Sequence, residues 1–554
     1  MGSWLPLATV FWSVTVSASD RTMSDNKLSL LEEYGMKYAV NSSEMKIYDR
    51  NTSEYFGVPG IVLMERASLS VTRHVLEWIK SRNVGRKHRA LVMCGVGNNG
   101  GDGACIGRLL KQQDIAVTLC VVGDYTKCTD LLLEELRILG KYGITPDTFC
   151  NIRDNKSAAD FDIIIDALFG VGLSRPLSGD FANAVAYINS CKKERAEDML
   201  VLSIDVPSGV DADNGRIMNT AVKADVTVTF NQTKLGHIMY PGCEYTGKIF
   251  VEDVGITNDS FLGKEPGAFF YDEDVHKLIP ERDKASNKGS NGKVLVIAGS
   301  KNVSGACFLA ASAALKTGAG MVKIFTAAEN VEAIKTLLPE ALLDTYEDDE
   351  NFRDRLEDDF NWSTAAVLGP GIGMDRTARE LVDITLSEYN KNLIVDADAI
   401  NLIAADEGLK ALCSNYSTGG KKLILTPHLA EFSRIYGEEI KKCKENILTY
   451  PKLLADKMHC TVVCKDARTI VADSSLKKIY INVSGNDGMA TAGSGDVLAG
   501  IMGAMLCLQL SSMDMASIGV YLHGLAGDHA AGEKGKYSMI ASDIIDGIVK
   551  YTNV

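Results

Sequence analysis

The feature that most constrains the fold is a repeated alternation of short apolar runs with longer amphipathic stretches. The first clear unit begins with an apolar run at 90–94, continues through a glycine-rich loop at 95–103 and a helical pattern at 104–113, and ends with a second apolar run at 116–122. A strand, a glycine loop, a helix and a strand in this order are typical of a parallel sheet covered by helices. The pattern therefore predicts an α/β fold.

The alternation pauses and restarts, which predicts two domains, as expected for a chain of 554 residues. Periodicity lapses at 257–266, and 281–290 is charged and rich in turn residues. We predict an extension over 1–35, a first domain over 36–262, a linker and entry segment over 263–290, and a second domain over 291–554. Strands are predicted at 161–167, 200–206 and 226–230 in the first domain, and at 293–298, 321–325, 365–368, 393–396, 423–426 and 461–465 in the second.

Composition narrows the class of protein. Hydrophobic residues make up 46% and charged residues 23%, as in globular proteins, and the net charge of −14 argues against nucleic-acid and membrane-surface binding. The 13 Cys include no Cys-x-x-Cys pair and the 8 His are not clustered, which predicts reduced thiols, no transition-metal centre and a cytoplasmic location.

The N-terminal segment contains a weak secretory pattern. An apolar run at 4–16 precedes Ser17-Ala18-Ser19, but no Lys or Arg comes before it. A signal peptide needs a basic region there, so export is not expected. A start placed too far upstream, with Met23 or Met36 as the true first residue, is the alternative.

In the first half, a glycine loop lies beside two strand ends that carry carboxylates. The loop at 97–103 brings backbone N–H groups to a helix start, where they can contact a phosphate, although a plain helix cap is the alternative. Asp166 and Asp205 each follow an apolar run. One such Asp often caps a helix, but two beside a glycine loop can hold a cation and transfer protons.

In the second half, the stretch at 485–500 combines glycines with one carboxylate. Gly493-Ser494-Gly495 leads into a helix and supplies backbone donors for a phosphoryl group. Asp496 stands at the helix start, where a general base could reach a substrate hydroxyl. A helix-capping Asp is the alternative.

The first-half motifs Asn-Asn-Gly-Gly-Asp-Gly, Asp-Ala-Leu-Phe-Gly-x-Gly and Ile-Asp-x-Pro-Ser-Gly closely resemble those of the NAD(P)H-hydrate epimerases. Met64-Glu65-Arg66-Ala67 also resembles that family, with Arg66 where Asn is usual. The resemblance implies a Rossmann-like domain, a potassium ion held by Asn99, Asp166 and Ser208, and Asp205 as the acid/base residue. It implies that the hydrated cofactor contacts Asn98, Asn99, Gly100, Gly101, Asp102, Gly170, Val171, Gly172, Leu173, Ser174, Arg175, Pro176 and Asp205.

The second half is similar to the ADP/ATP-dependent NAD(P)H-hydrate dehydratases, which are ribokinase-like. The similarity rests on 485–500 and on segments at 289–300, 305–306, 318–322, 369–373, 425–432 and 521–528. It implies Asp496 as the base, nucleotide contacts at Lys465, Asp466, Ala467, Arg468, Thr469 and Gly495, and hydrate contacts at Ala306, Gly373, His428 and Asp496. Asp466 stands where Gly is usual, and its charge can repel a nucleotide phosphate.

Together the resemblances imply a bifunctional enzyme for nicotinamide cofactor repair. It would interconvert the R and S hydrates of NADH and NADPH, and dehydrate the S form at the expense of ADP or ATP, with magnesium, giving AMP or ADP and phosphate. We expect a homo-oligomer that binds neither nucleic acid nor membrane. Two alternatives stay open: a ribokinase-like kinase for a vitamin or sugar alcohol with a regulatory first domain, and a first domain that is only a binding scaffold. The preferred nucleotide and hydrate also stay open.

Overall fold

The computed structural model describes residues 35–82, 87–272, 279–346 and 352–552. The predicted extension lies outside these residues except for Gly35. The apolar run at 4–16 and the alternative start at Met23 also lie outside them, whereas Met36 is described. The strands are β1 (Met36–Val40), β2 (Arg89–Cys94), β3 (Ala116–Val121), β4 (Asp147–Thr148), β5 (Ile163–Ala167), β6 (Leu200–Ile204), β7 (Val226–Phe230), β8 (Thr233–Lys234), β9 (Lys248–Glu252), β10 (Ala268–Tyr271), β11 (Lys293–Ile297), β12 (Met321–Ala327), β13 (Leu342–Tyr346), β14 (Ala365–Leu368), β15 (Asn392–Val395), β16 (Leu423–Leu425), β17 (Thr461–Cys464), β18 (Ile470–Asp473) and β19 (Ile479–Ile481).

Helices connect most of these strands, as expected for parallel pairing. They are α1 (Ser42–Arg50), α2 (Gly60–Arg82), α3 (Asn98–Gln112), α4 (Asp130–Lys141), α5 (Phe149–Asn155), α6 (Gly179–Arg195), α7 (Leu235–Ile238), α8 (Gly305–Thr317), α9 (Val331–Leu337), α10 (Phe352–Trp362), α11 (Arg376–Glu388), α12 (Ala397–Ala405), α13 (Glu407–Asn415), α14 (Leu429–Tyr436), α15 (Ile440–Glu445), α16 (Tyr450–Met458), α17 (Ser494–Met505), α18 (Ser512–Lys534) and α19 (Ala541–Thr552). No helix among the described residues is long and apolar enough to cross a membrane.

The first sheet has the strand order β4-β3-β2-β5-β6-β7-β9, and every neighbouring pair is parallel. Every residue of β5 and β6 is buried, because helices cover both faces, and this explains their continuous apolar sequences. The strand order reverses between β2 and β5. Ligands bind at such a reversal, beyond the carboxyl ends of the strands.

The second sheet has the order β13-β12-β11-β14-β15-β16-β17-β18-β19-β10-β1-β8. Its first seven strands are parallel, and β17, β18 and β19 are joined by antiparallel pairing. Helix α17 is buried on nearly all sides beneath this sheet, which explains its Gly- and Ala-rich sequence. Two sheets of this kind confirm the predicted α/β fold class.

The two halves of the chain share the second sheet. Strand β10 pairs with β19 on one side and with β1 on the other, and β1 also pairs with β8. The segment 263–290, predicted to be a linker, therefore includes a strand at Ala268–Tyr271, and 36–40 joins the sheet of the second half. Neither short strand could be read locally, because its pairing partner is distant in the sequence.

Candidate active sites

The first candidate site lies at the carboxyl edge of the first sheet. Asp166 lies in β5, Asp205 directly follows β6, and the glycine loop after β2 opens helix α3. Because β2, β5 and β6 are parallel neighbours, these segments meet at one edge. The structure thus brings the predicted glycine loop and both predicted carboxylates together.

Asp166 is completely buried and holds the neighbouring turn in place. Its carboxylate accepts hydrogen bonds from Ser203 Oγ at 2.8 Å, Ser208 N at 2.8 Å and Ser208 Oγ at 2.6 Å. Burial raises the pKa of Asp166 more than these hydrogen bonds lower it. The Ser208 hydroxyl also accepts from Phe169 N at 2.9 Å, so Asp166 fixes the position of Ser208 at the site.

Asp205 forms a buried ion pair with a lysine that the sequence analysis did not identify. Lys234 Nζ lies 2.7 Å from Asp205 Oδ1, and only 1% of the lysine side chain is exposed. Thr229 Oγ1 donates to the same oxygen at 3.0 Å, and Val171 N donates to Oδ2 at 3.2 Å. Burial raises the pKa of Asp205, but the Lys234 charge and hydrogen bond outweigh it, and the pKa is lowered overall. Asp205 is therefore an ionised carboxylate.

The backbone of Asp205 is held in an unusual conformation. Its φ angle is +64°, in the left-handed region, which an Asp adopts only at a cost. Two contacts hold it there: Asp205 N donates to Val228 O at 2.8 Å, and His237 Nε2 lies 2.8 Å from Asp205 O. Burial and the Lys234 charge lower the pKa of His237 to about 4, so its ring is neutral and can donate only from Nε2 while Nδ1 accepts from Lys234 N.

Gly170 allows the remaining groups to approach one another. A methyl group at Gly170 would lie 2.8 Å from Asp205 Oδ2 and 3.2 Å from Asn99 Oδ1, so no larger residue fits without displacement. Burial and the carboxylates of Asp205 and Asp49 raise the pKa of Asp102 well above its ordinary value. Asp102 thus holds its proton more readily than an ordinary carboxyl group, and it lies within electrostatic range of Asp205. The rest of the predicted loop, 171–176, lies at the more exposed rim.

Asn99 has the one feature here that fits a cation. Its Nδ2 is buried and has no hydrogen-bond partner among the described residues. Because an amide nitrogen and oxygen are interchangeable in such an assignment, this position can equally hold the amide oxygen. That oxygen, with the oxygens of Asp166 and Ser208, is a hard donor set that suits an alkali or alkaline-earth cation.

The second candidate site lies at the start of α17. Burial and the neighbouring Asp396 and Asp398 carboxylates raise the pKa of Asp496 to about 7, although Lys465 opposes the shift. A methyl group at Gly495 would lie 3.3 Å from Lys465 Nζ, so the lysine reaches the glycine-rich helix start. The arrangement places a carboxylate that titrates near neutral pH beside backbone N–H groups and a cation.

Lys465 is held in place by residues that the sequence analysis had assigned only to strands. Its Nζ lies 2.7 Å from Asp396 Oδ1, and that oxygen also accepts from Thr426 Oγ1 at 2.8 Å. Burial lowers the pKa of Lys465, but the Asp396 and Glu431 carboxylates raise it further, so the lysine is charged. The signal that could have identified Asp396 is its position directly after a buried strand, the same signal that identified Asp166 and Asp205.

Two of the predicted hydrate contacts, Gly373 and His428, lie beside residues of this centre. Gly373 N donates to Asp398 Oδ2 at 2.9 Å, and Ala306 is buried in α8. His428 caps α14, because its Nδ1 accepts from the backbone N–H groups of the next turn, yet 52% of its side chain is exposed. The backbones of His428 and Lys465 form a β-bridge, which brings His428 beside the predicted nucleotide residues.

The predicted nucleotide residues Lys465 to Thr469 form the loop between β17 and β18. Lys465 lies beside Gly495 at the start of α17, while Arg468 contacts the first half of the chain. Asp466 and Arg468 line a cavity of about 690 Å³ between the halves.

A third cluster, Glu65, Cys105 and Glu135, has the spacing of a metal site, but Arg108 contacts it and supplies the positive charge.

Two separate sites, each with a carboxylate at the edge of its own sheet, fit a bifunctional enzyme. Comparisons with known proteins agree. A family described as NAD(P)H-hydrate dehydratase matches residues 294–550, and one described as YjeF-related protein N-terminus matches residues 60–236. These matches contain Asp496 and Asp205, respectively.

Relatives of nearly the full length carry both halves. The chain is 34% identical to the bifunctional NAD(P)H-hydrate repair enzyme Nnr of Thermofilum pendens over 522 residues, covering 92% of this chain and 95% of that protein. Nnr of Moorella thermoacetica is 33% identical over 527 residues, with 92% and 95% covered. The chain belongs to the family of bifunctional NAD(P)H-hydrate repair enzymes, which confirms the predicted family and the prediction of an enzyme.

Solved structures align with about half of the chain. A ribokinase-like superfamily protein from Enterococcus faecalis is 27% identical and covers 52% of this chain and 95% of that chain, with a TM-score of 0.45. The ADP/ATP-dependent NAD(P)H-hydrate dehydratase from Bacillus subtilis, co-crystallised with ATP/Mg²⁺, is 26% identical and covers 50% and 95%, with a TM-score of 0.43.

Proposed function

We propose that this chain repairs hydrated NADH and NADPH, with the first site interconverting the R and S hydrates and the second dehydrating the S form. The observation that carries the proposal is the pair of site carboxylates, the buried Asp205 and the partly buried Asp496, set in opposite electrostatic environments within a chain of the bifunctional family. Perturbed carboxyl pKa values at such sites favour acid/base chemistry.

In the first site, epimerisation requires a proton to leave and return as the hydrated ring opens or loses water. Asp205 is ionised and serves as the base, and Asp102, whose pKa is raised, is the candidate to return a proton. Asn99, Asp166 and Ser208 would hold a potassium ion, which would supply positive charge to orient the hydrate. The proposed contacts with the hydrate are those of the glycine loop, Asn98 to Asp102, and of the rim segment, Gly170 to Pro176.

In the second site, the hydrate's hydroxyl is a poor leaving group until it is phosphorylated. Asp496 accepts the hydroxyl proton as the oxygen attacks the terminal phosphorus of ADP or ATP, and AMP or ADP leaves. Backbone N–H groups from Gly495 and the charge of Lys465 stabilise the moving phosphoryl group. Inorganic phosphate then leaves its ring carbon as a proton leaves the neighbouring ring carbon, and the dihydronicotinamide double bond is restored. Magnesium would neutralise charge on the nucleotide phosphates, and Ala306, Gly373 and His428 would contact the hydrate.

The remaining proposals concern organisation. We assign the epimerase to residues 36–262 and the dehydratase to 291–554, with 263–290 connecting them through β10. All 13 cysteines are free thiols, which supports a reducing, cytoplasmic location. A homo-oligomer stays a prediction.

The test is a repair assay on the purified full-length chain. An equilibrated mixture of both NADH-hydrate epimers is incubated with magnesium, potassium and either ADP or ATP, and dihydronicotinamide absorbance and phosphate release are followed. Complete, rapid recovery from both epimers supports both activities, and the faster nucleotide identifies the preferred donor. Recovery limited to the S fraction refutes the epimerase assignment, and no recovery with either nucleotide refutes the proposal.

A further inference from the structure

Arg468, in the proposed nucleotide loop of the dehydratase half, is anchored by the epimerase half. Its Nε donates to Ile238 O at 2.8 Å, and its guanidinium lies over the Tyr240 ring with Cζ 5.0 Å from the ring centre. Its Nη1 donates to Val483 O at 3.1 Å, within the second half. Two of these three contacts therefore come from residues that lie more than 220 positions earlier in the chain.

The same anchoring segment also contacts the proposed epimerase base. Ile238 ends helix α7, and His237 in that helix lies with Nε2 2.8 Å from Asp205 O. Lys234, just before the helix, forms the ion pair with Asp205. One short segment, 234–240, thus contacts the Asp205 site at its beginning and Arg468 at its end.

Strand pairing holds this segment and the nucleotide loop in a fixed relation. Thr233–Lys234 is strand β8, and the sheet continues from it through β1, β10 and β19 to β18. Strand β18 begins at Ile470, directly after the nucleotide loop. Because hydrogen-bonded strands move together, the contacts of Arg468 with Ile238 and Tyr240 join two parts of one rigid sheet.

We propose that Tyr240 and the Ile238 carbonyl of the epimerase half position Arg468 for nucleotide binding by the dehydratase half. The inference rests on the proposed function, because it concerns the nucleotide used by the dehydratase. Tyr240 is a positioning residue: it acts through Arg468 and belongs to neither catalytic centre. Unrestrained, the long Arg468 side chain would lose conformational freedom on binding a nucleotide, and the ring and carbonyl remove that cost in advance.

The test compares full-length variants at Tyr240 with a matched tyrosine elsewhere. Tyr240→Leu removes the aromatic face, Tyr240→Phe keeps it, and Tyr142→Leu is the control, since Tyr142 is 44% exposed and Tyr240 is 46% exposed. An aromatic face beneath a partly buried guanidinium predicts an increase of about two- to fivefold in the nucleotide KM for Tyr240→Leu. We expect unchanged kcat for dehydration of the S hydrate, an unchanged epimerisation rate, and wild-type values for the other two variants.

Direct binding separates this inference from the proposed function. Calorimetric titration with ADP and with ATP, both with magnesium and without hydrate, should show the same two- to fivefold weaker binding for Tyr240→Leu. A double variant, Tyr240→Leu with Arg468→Met, should bind nucleotide no more weakly than Arg468→Met alone, because Tyr240 acts through Arg468. This comparison remains informative even if Tyr240→Leu lowers the stability of the protein.

Three results would overturn the inference while leaving the proposed function intact: wild-type nucleotide affinity in Tyr240→Leu, equal losses in Tyr240→Leu and Tyr240→Phe, or additive losses in the double variant. A wild-type protein that repairs no hydrate and binds neither nucleotide would instead overturn the proposed function, and this inference with it.

Discussion

The Asp205 site and the Asp496 site use the same three kinds of group in different arrangements. Each has a carboxylate at a sheet edge, a charged lysine and a glycine that permits close approach. In the first site Lys234 Nζ contacts the proposed base directly, at 2.7 Å. In the second, Lys465 makes its 2.7 Å contact with Asp396 instead, and Asp496 has two further carboxylates nearby.

The difference indicates that the placement of the lysine and of the neighbouring carboxylates sets the protonation state of each carboxyl group. Burial raises the pKa of both Asp205 and Asp496. A lysine in direct contact reverses the effect for Asp205, whereas a lysine paired with another carboxylate leaves Asp496 with a pKa of about 7. One site therefore holds a permanent anion, and the other holds a group that gains and loses a proton near neutral pH.

The largest expected effect comes from removing the titrating base. Asp496→Asn should lower the rate of S-hydrate dehydration by about 10²- to 10⁴-fold, since the amide cannot accept the hydroxyl proton. Epimerisation, measured by the interconversion of R and S hydrates on a chiral column, should be unchanged. A dehydration rate close to that of the wild type would refute the role of Asp496.

The matching change in the first site should have the opposite selectivity. Asp205→Asn should slow epimer interconversion by about 10²- to 10⁴-fold, for the same reason. Dehydration of pure S hydrate should continue at the wild-type rate. If instead both reactions fail while the protein remains folded, the two sites are not chemically separate.

Removing the lysine that distinguishes the sites should affect stability as well as rate. Lys234→Met leaves the buried Asp205 charge without a partner and should lower the free energy of unfolding by about 3–5 kcal/mol in urea titration. Lys192→Met is the control, because Lys192 pairs with Asp225 at 2.8 Å where both are more exposed, and it should cost about 1 kcal/mol or less. Equal costs for the two variants would contradict the importance of the Lys234–Asp205 pair.

The two reactions should also respond differently to pH. Asp496 must be ionised to act as a base, so dehydration kcat/KM should fall by about tenfold per pH unit below about 7 and level off above it. The lowered pKa of Asp205 keeps it ionised through this range, and epimerisation should stay nearly constant there. Parallel pH profiles for the two reactions would argue against the different lysine placements as the cause.

The smallest effect concerns Asp466, which adds a negative charge to the proposed nucleotide loop. Asp466→Gly should lower the nucleotide KM by less than about tenfold, and the gain should shrink as salt is added, because exposed charges are screened. Dehydration rates at varied ADP and ATP, in low and high salt, would measure it. An unchanged KM in low salt would mean that the Asp466 charge does not reach the phosphates.

Much of the architecture could be predicted because parallel strands buried on both faces require continuous apolar runs. Strands such as β5, β6 and β14 lie within or at the predicted positions. Strands β1, β8 and β10 were not predicted, since each is short and pairs with strands that are distant in the sequence. The predicted linker at 263–290 does not separate the two halves either, because its strand β10 belongs to the second sheet.

The sequence by itself determined which residues could carry chemistry. Asp166, Asp205 and Asp496 follow strands or open a helix beside glycine loops, and such positions meet at a sheet edge whatever the remaining topology. Only the tertiary structure decided their charge states, because a buried carboxyl group responds to groups within a few ångströms regardless of their distance along the chain. Lys234 and Asp396 are such groups. Their contacts form only when the chain folds, and so do the contacts of Arg468 with Ile238 and Tyr240. No local sequence pattern predicts these pairings.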